Sequence, residues 1–293
     1  MPRLKILLYT SLAMLAFAGN SLLCRIALRQ TGIDAASFSA IRICSGALVL
    51  WLIVHRRAGS AAPDGSWLSG LALFVYAAAF SFAYVSLPVA SGALILFGAV
   101  QATMIGYGLW RGERLSLRQT LGLLLAAGGV VALMLPGWSP PPLQGALLMA
   151  LAGVGWGVYS LRAAGIADPL AATAGNFARA APFVLLLNLV LLPSASLDGI
   201  GVAYGLASGA LASGLGYVVW YAVLRELTAT SAATVQLSVP VLAAFGGILF
   251  LGEAISLHLI ATSAAILGGI ALVTLKTRRP KGEEDAAIRR RRD

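Results

Sequence analysis

The sequence is poor in charge. Asp, Glu, Lys and Arg make up 11% of its 293 residues, against about a quarter in a soluble domain. Acids are the scarcer sign, 11 against 21 Lys and Arg. A soluble fold of this size needs far more charge on its surface, so lipid is the natural solvent for this chain. Cysteine and histidine are nearly absent, two of each. Cys24 and Cys44 lie inside apolar runs, where cysteine behaves as a small hydrophobe, and nothing suggests a disulfide or metal framework. His55 and His258 sit at loop edges, no G-x-S-x-G occurs, and no His–acid pair has metal spacing. The nucleophile, base or metal that an intramembrane enzyme acting on lipid would need is therefore missing. No Lys falls inside an apolar run, and no acid falls in the middle of one. Asp34, Asp64, Asp168 and Asp198 are in loops or at helix edges, Glu226 ends a run, Glu113 and Glu253 fall in turns, and the rest lie near the C-terminus. A proton carrier buried at mid-membrane has no candidate.

What is present is hydrophobic sequence, 59% of the chain, with a mean hydropathy of +0.87. Apolar runs occupy 6–28, 35–54, 67–87, 89–110, 116–135, 143–164, 169–192, 199–225, 228–251 and 255–275. Crossing a bilayer takes about 20 apolar residues. The expectation is an all-α integral membrane protein of ten transmembrane helices with short loops and no soluble domain. Arg3, Lys5 and "AFAG" at 16–19 resemble a cleaved signal peptide. The apolar run continues to Leu28, however, so it is read as a retained first helix. Much of the positive charge behind the net +10 sits after residue 275, at Lys276, Arg278, Arg279, Lys281 and the four arginines 289–292. Beside a membrane, such a tail fixes topology or touches anionic lipid, and nucleic-acid binding is not expected.

The chain repeats itself. "LWRGERLSLRQ" at 109–119 returns as "LFLGEAISLHL" at 249–259. At a shift of 140 positions Leu87 falls on Leu227, Ser91 on Ser231, Gly106 on Gly246, Gly112-Glu113 on Gly252-Glu253, and Gly128-Gly129 on Gly268-Gly269. At nearly the same shift Gly19 matches Gly157 and Arg42 matches Arg179. Residues 1–138 and 139–275 are thus two five-helix halves, followed by a basic tail, 276–293. A unit with an odd number of crossings re-enters the membrane from the other side, so the halves are expected to be inverted copies around a central cavity.

Inversion explains the charge difference between the two boxes. With the N-terminus cytoplasmic, Arg111, Arg114 and Arg118 lie inside, while Leu251, Ala254 and His258 occupy the matching places outside, where Lys and Arg are disfavoured. Arg25 and Arg29 are exceptions on the outer side, Arg29 placed to pair with Asp34. Gly112 and Gly252 suit the left-handed conformation that ends a helix, and Ser116 with Gln119 has capping-box spacing. Both termini of this multi-pass chain are expected in the cytoplasm.

The segment 220–273 begins with an aromatic-Tyr-Ala and carries Pro240, the Gly252-Glu253 turn and Gly268-Gly269. It resembles the EamA-type branch of the drug/metabolite transporter superfamily. Residues 84–133 match less fully, with Val100 opposite Pro240. The resemblance implies ten helices, both termini cytoplasmic, and a cavity lined by the third, fourth, eighth and ninth helices with help from the first and sixth. It also implies export of small metabolites, and this chain looks most like the bacterial amino-acid exporters, those of aromatic amino acids among them. A small-molecule substrate and the lipid bilayer are the implied partners. No cofactor, metal or nucleic acid is implied, and a monomer is expected. The alternatives are a proton-coupled drug or metabolite exporter, the intramembrane lipid enzyme, and a membrane scaffold without a polar cavity.

Within that frame Trp156, at mid-helix, is a cavity candidate, because a buried indole needs a partner for its N–H. Tyr76 and Phe80, four apart on one face, and Phe97 and Tyr217 fall in the helices that the family uses; core packing is the plainer reading of each. Asn20, Gln101 and Gln236 place polar groups in hydrocarbon depth, as substrate ligands or as interhelical glue. Arg42 and Arg179, paired by the repeat, are functional candidates because they are intramembrane arginines; the favoured reading is structural, each snorkelling or clamping backbone carbonyls from a peripheral helix. Trp51, Trp67, Trp110 and Trp138 suit interfacial belts, with Trp220 ambiguous. Gly153 and Gly157 permit close helix crossing, and Pro240 is the expected hinge of the ninth helix.

Overall fold

The structure is a computed structural model of the full chain. It describes residues 2–57, 64–112, 114–135, 141–163, 166–224, 226–227, 235–254 and 256–274. Glu113, Trp138, Ser231 and the basic tail lie outside the described residues.

Every described element is helical. Seven helices are long and apolar enough to cross a membrane: α1 (Arg3–Gln30), α2 (Ala35–His55), α3 (Trp67–Tyr84), α4 (Val89–Trp110), α6 (Leu143–Ala163), α7 (Pro169–Val190) and α8 (Gly199–Leu224). Three shorter apolar helices complete the set, α5 (Leu117–Leu133), α9 (Ser238–Leu251) and α10 (Leu257–Thr274). The chain is a multi-pass membrane protein.

Short polar residues start the helices by accepting backbone N–H groups that have no partner within the helix. Asp34 caps α2, Ser66 α3, Asp168 α7 and Asp198 α8. Ser116 and Gln119 form the expected capping box on α5. Gly112 (φ 88°) and Gly252 (φ 63°) adopt left-handed conformations that end α4 and α9. The Arg29–Asp34 pair does not form. Asp34 instead accepts bonds from Ala36 N, Ser37 N and, across to the segment before α8, Ser196 N, each at 2.9 Å.

Three helix pairs run antiparallel. The start of α2 meets the end of α7, where Asn188 Nδ2 donates to Ala36 O at 2.9 Å, and Arg57, just past the other end of α2, reaches Asp168 at 3.5 Å. The start of α4 meets the turn after α9 at Val89 and Glu253. In α5, Gly122 lies against Gly269 and Leu272, and Gly129 against Ala265 and Ile266 of α10. Helix α3 packs on α6 and α7, and α1 on α8 and α9.

Two local departures from regular helix bear on the site. Residues Ala207–Leu215 of α8 form a π-helical stretch, and wide turns of this kind recur at functional sites. Ahead of α9, the helical turn at Val235–Gln236 is interrupted at Leu237. Pro240 therefore sits in the first turn of α9, where a missing N–H costs nothing, and its ring excludes the helical position of the Gln236 carbonyl. The hinge expected at Pro240 coincides with this interruption rather than with a kink inside a longer helix.

Candidate functional site

The site is built around the glycine spacing of "GVGWG" in α6. Gly153 and Gly157 face α4, where a Cβ would strike Ala99 or Thr103. Gly155 faces α3, where a Cβ would lie 2.9 Å from Tyr76 N and 3.0 Å from Ala72 O. Both neighbours thus approach the α6 backbone closely, and Trp156 is the large side chain left at this level.

Trp156 stacks on Tyr217 (ring centroids 5.7 Å apart, planes at 12°) and on Tyr159 (5.4 Å, 27°), and leans on Tyr76 at 5.0 Å. Phe17 packs against Tyr217 at 5.8 Å and Trp220 at 5.9 Å. These rings, with Phe80 and Phe97, wall a cavity of about 260 Å³, near the lower end of small-molecule sites at roughly 300 Å³. Its polar lining is uncharged and includes Asn20, Ser21, Ser160, Ser213 and Gln236; no Asp, Glu, Lys, Arg or His among the described residues lines it. The cavity runs from Asn20 and Tyr76 to Ala163, Pro169 and Leu224 at one end of the bundle. A second hollow there, about 610 Å³, shares Pro169 and Tyr221 with it and carries Arg56 and Arg57.

The opposite end is tied shut. Arg25 of α1 donates from Nη1 to Tyr84 O (2.8 Å) and Val85 O (3.0 Å), the last carbonyls of α3. Its Nε lies 3.6 Å from Glu253 Oε1. Glu253 follows the left-handed Gly252, with its N–H returned to Gly247 O at 3.1 Å, and accepts from Val89 N at 2.8 and 3.1 Å. One carboxylate thus caps the first turn of α4, where the helix dipole favours negative charge, and meets the arginine that caps α3. Burial lifts the Glu253 carboxyl above the usual glutamate range; the Val89 N–H and Arg25 offset this only in part.

Residues 143–275 match the EamA-like transporter family. The chain is 58% identical over 274 residues to uncharacterized protein PA1977 of Pseudomonas aeruginosa, covering 93% of this chain and 96% of that one. The chain belongs to the EamA-like transporter family. An uncharacterized transporter of Archaeoglobus fulgidus is 28% identical over 92% of this chain and 97% of its own. The uncharacterized transporter YoaV of Bacillus subtilis is 28% identical over 58% of this chain and 61% of its own. A solved crystal structure with a TM-score of 0.65 and 22% identity, spanning 95% of this chain and all of that one, shares the fold. These likenesses identify a membrane transporter of the drug/metabolite type rather than an enzyme.

In this EamA-like transporter the cavity brings together Asn20, Tyr76, Phe80, Phe97, Trp156, Tyr217 and Gln236. Gln101 is half-buried and lies outside the lining, one residue past Val100. Trp220, ambiguous in the sequence, is buried and faces the cavity. Phe17, Tyr159 and Tyr221 are lining residues that sequence reasoning missed. Helical spacing could have found them, three before Asn20, three after Trp156 and four after Tyr217. The hydroxyls of Tyr159 and Tyr221 lie 3.2 and 3.1 Å from that of Thr173, which fixes both rings on α7. The two repeat-related arginines differ. Arg179 clamps a backbone carbonyl, Gly175 O at 3.1 Å, as a structural arginine does. Arg42 is 2% exposed and bonds a side chain, its Nη2 donating to Tyr76 Oη at 2.9 Å.

Proposed function

We propose that this EamA-like transporter exports small amphipathic metabolites, chiefly amino acids with aromatic or large hydrophobic side chains. It does so as a facilitator, by alternating access of a ten-helix inverted repeat in a bacterial inner membrane. The observation that carries the substrate reading is the stacked Tyr159–Trp156–Tyr217 wall beside uncharged polar groups. Flat rings supply area for an apolar side chain, and a few polar groups orient the other end. Asn20 and Gln236 are the amides placed for that second task.

The antiparallel pairing of α2 with α7, α4 with α9 and α5 with α10 supports the inverted repeat, since each pair is related by a shift of five helices. Helix α3 packs on α6 as α8 packs on α1, which is the same relation. Tying at the Glu253 end, with a cavity reaching the Ala163 end, suits one of the two states that alternating access requires. On the proposed topology the Glu253 end is outside, so this state faces the cytoplasm. Reporter fusions at Gly112 and Gly252 that fall on the same side of the membrane would end the inverted-repeat reading.

The test of substrate is counterflow in liposomes of purified protein, using a panel of radiolabelled amino acids. Aromatic and large aliphatic members are expected to exchange, and small polar members are not. Trp156→Ala protein that folds and moves every amino acid at the normal rate refutes the site.

A further inference from the structure

We propose that Arg42 makes this cavity a carboxylate-recognising site, the guanidinium beneath Tyr76 selecting solutes that present a negative charge at the Asn20–Tyr76 end. The inference rests on the transport reading above and deepens it by assigning the charge of the substrate to a residue.

Arg42 lies within α2 and is fully enclosed by protein. An arginine in the membrane is expensive unless an acid or backbone carbonyls surround it. Arg42 has neither. Its guanidinium lies 5.0 Å from the centre of the Tyr76 ring and 4.9 Å from that of Phe80, and makes one hydrogen bond, to Tyr76 Oη. Its Nε and Nη1 are buried with no hydrogen-bond partner among the described residues. Cation–π contacts recover part of the desolvation cost and leave the positive charge in place.

The neighbouring groups add donors. Ser208 Oγ donates to Asn20 Oδ1 at 2.6 Å, and Asn20 Nδ2 donates to Tyr76 Oη at 3.4 Å. The Tyr76 oxygen thus accepts from Arg42 and Asn20, and among the described residues its own proton has no protein acceptor, on a residue that lines the cavity. A hydroxyl whose oxygen accepts from a cation is a strengthened donor. This end of the cavity therefore offers the Tyr76 hydroxyl as a donor, backed by the positive charge of Arg42, which is buried behind the lining. An ionised carboxylate accepts at both oxygens and donates nothing, so it is the complement. An ammonium there would meet donor against donor, with like charge behind it. The hollow next to the other end of the cavity carries Arg56, Arg57 and Asp168, and since Asp168 pairs with Arg57 it leaves one positive charge in excess on the approach.

The experiment uses full-length protein in liposomes and three solutes that share a phenyl ring. These are phenylalanine, phenylpropionate (no ammonium) and phenethylamine (no carboxylate). Exchange is measured by counterflow and binding by quenching of the cavity tryptophans. Wild-type protein is expected to favour both carboxylates over the amine by roughly tenfold or more. Arg42→Gln is expected to lower the ratio of phenylalanine to phenethylamine binding by roughly tenfold, and Arg42→Lys, which keeps the charge, by less. Tyr76→Phe keeps the ring, loses the donor, and is expected to shift the ratio in the same direction; it decides the matter if the Arg42 variants do not fold. Equal loss for all three solutes in Arg42→Gln, or an unchanged ratio in folded Tyr76→Phe, overturns the proposal. If phenylpropionate binds in an Arg42-dependent way and no amino acid exchanges, the amino-acid reading fails and this inference stands. If phenylalanine exchanges with no dependence on Arg42, the reverse holds. Binding of none of the three overturns both.

Discussion

Replacing Glu253 by alanine should open the end of the bundle that Glu253 ties. The side chain holds Val89 N, in the first turn of α4, with one carboxylate, and truncation leaves that half-buried N–H without an acceptor. Loss of a charged acceptor from a buried donor costs about 1–3 kcal/mol. Arg25 keeps its two carbonyl acceptors, Tyr84 O and Val85 O, so losing the 3.6 Å pair with Glu253 adds at most about 1 kcal/mol. If these contacts exist only while this end is closed, their sum, about 3 kcal/mol, shifts the balance of states roughly 150-fold towards opening. Ala93 of α4 is fully buried beside Val89 and Ala243 of α9, and a cysteine there reports their separation. In a background with Cys24→Ala and Cys44→Ser, Ala93→Cys in intact cells should react slowly with a membrane-impermeant maleimide. Adding Glu253→Ala should raise that rate by at least tenfold. Because burial already disfavours the Glu253 charge, Glu253→Gln, which keeps an acceptor for Val89, should raise it much less. A Glu253→Ala protein that labels at the parent rate refutes the assignment of this contact as a closure.

Three further outcomes are expected. Asp34→Ala removes the cap of α2 and its bond to Ser196 and should cost about 2 kcal/mol of stability in detergent. Burial alone would raise the Asp34 carboxyl, but its bonds to Ser37, Ser196 and Ala36 hold it below the usual aspartate range; its contribution is therefore complete above the ordinary aspartate value and lost as pH falls through the lowered one, a dependence that Asp34→Asn should abolish in a melting series. Gly155→Val drives a side chain into the α3 backbone at Tyr76 and Ala72 and should cost about 1–3 kcal/mol and weaken substrate exchange, whereas Gly128→Ala, with nothing within 4 Å, should be silent. An imposed pH gradient should not drive substrate uphill in liposomes, since no acid or histidine among the described residues lines the cavity; uphill accumulation lost in Glu253→Gln would overturn the facilitator reading.

The helices were legible because hydrocarbon permits little else. Every backbone group in the core of a bilayer must find its partner within its own segment, so apolar runs of the right length mark helices. The capping pair Ser116 and Gln119 then places the start of α5. The aromatic wall was half legible. Trp156, Tyr76 and Tyr217 stood out by lying at mid-helix, while Tyr159 and Tyr221 lie nearer the ends of α6 and α8, where position alone does not mark a tyrosine as buried. The π-helical stretch at Ala207–Leu215 left no mark that a 3.6-residue period detects. The partner of Arg42 was illegible for a related reason. Periodicity says which helix carries a side chain, but whether a guanidinium meets carbonyls or a tyrosine is settled only by the neighbouring helix. The pairing of Arg25 with Glu253 joins residues far apart in sequence, and nothing local announces it.

The same contacts bear on how one duplicated sequence yields two different ends. Arg25 and Arg162 occupy nearly corresponding places in the proposed repeat, on α1 and α6. Both grip α3, but at opposite ends. Arg25 holds its last carbonyls and Glu253, while Arg162 donates from Nε to Ser69 Oγ at 3.0 Å and from Nη2 to Ser66 Oγ at 3.1 Å, at its first turn. Strict symmetry would have sent Arg162 to the end of α8, the counterpart of α3. Instead Leu224, at that end, lines the cavity together with Ala163. The arginine that would complete a second tie is held by the serines of α3, and the cavity reaches this end of the bundle. On the inverted-repeat reading, the alternate state is the one in which Arg162 leaves Ser66 and Ser69 for the end of α8 while Arg25 gives up Tyr84, Val85 and Glu253. Both grips are hydrogen bonds from a guanidinium to uncharged acceptors, two carbonyls or two hydroxyls, each worth about 1.5–3 kcal/mol, so exchanging one set for the other keeps the two states close in free energy, as a carrier that runs on its solute gradient alone requires.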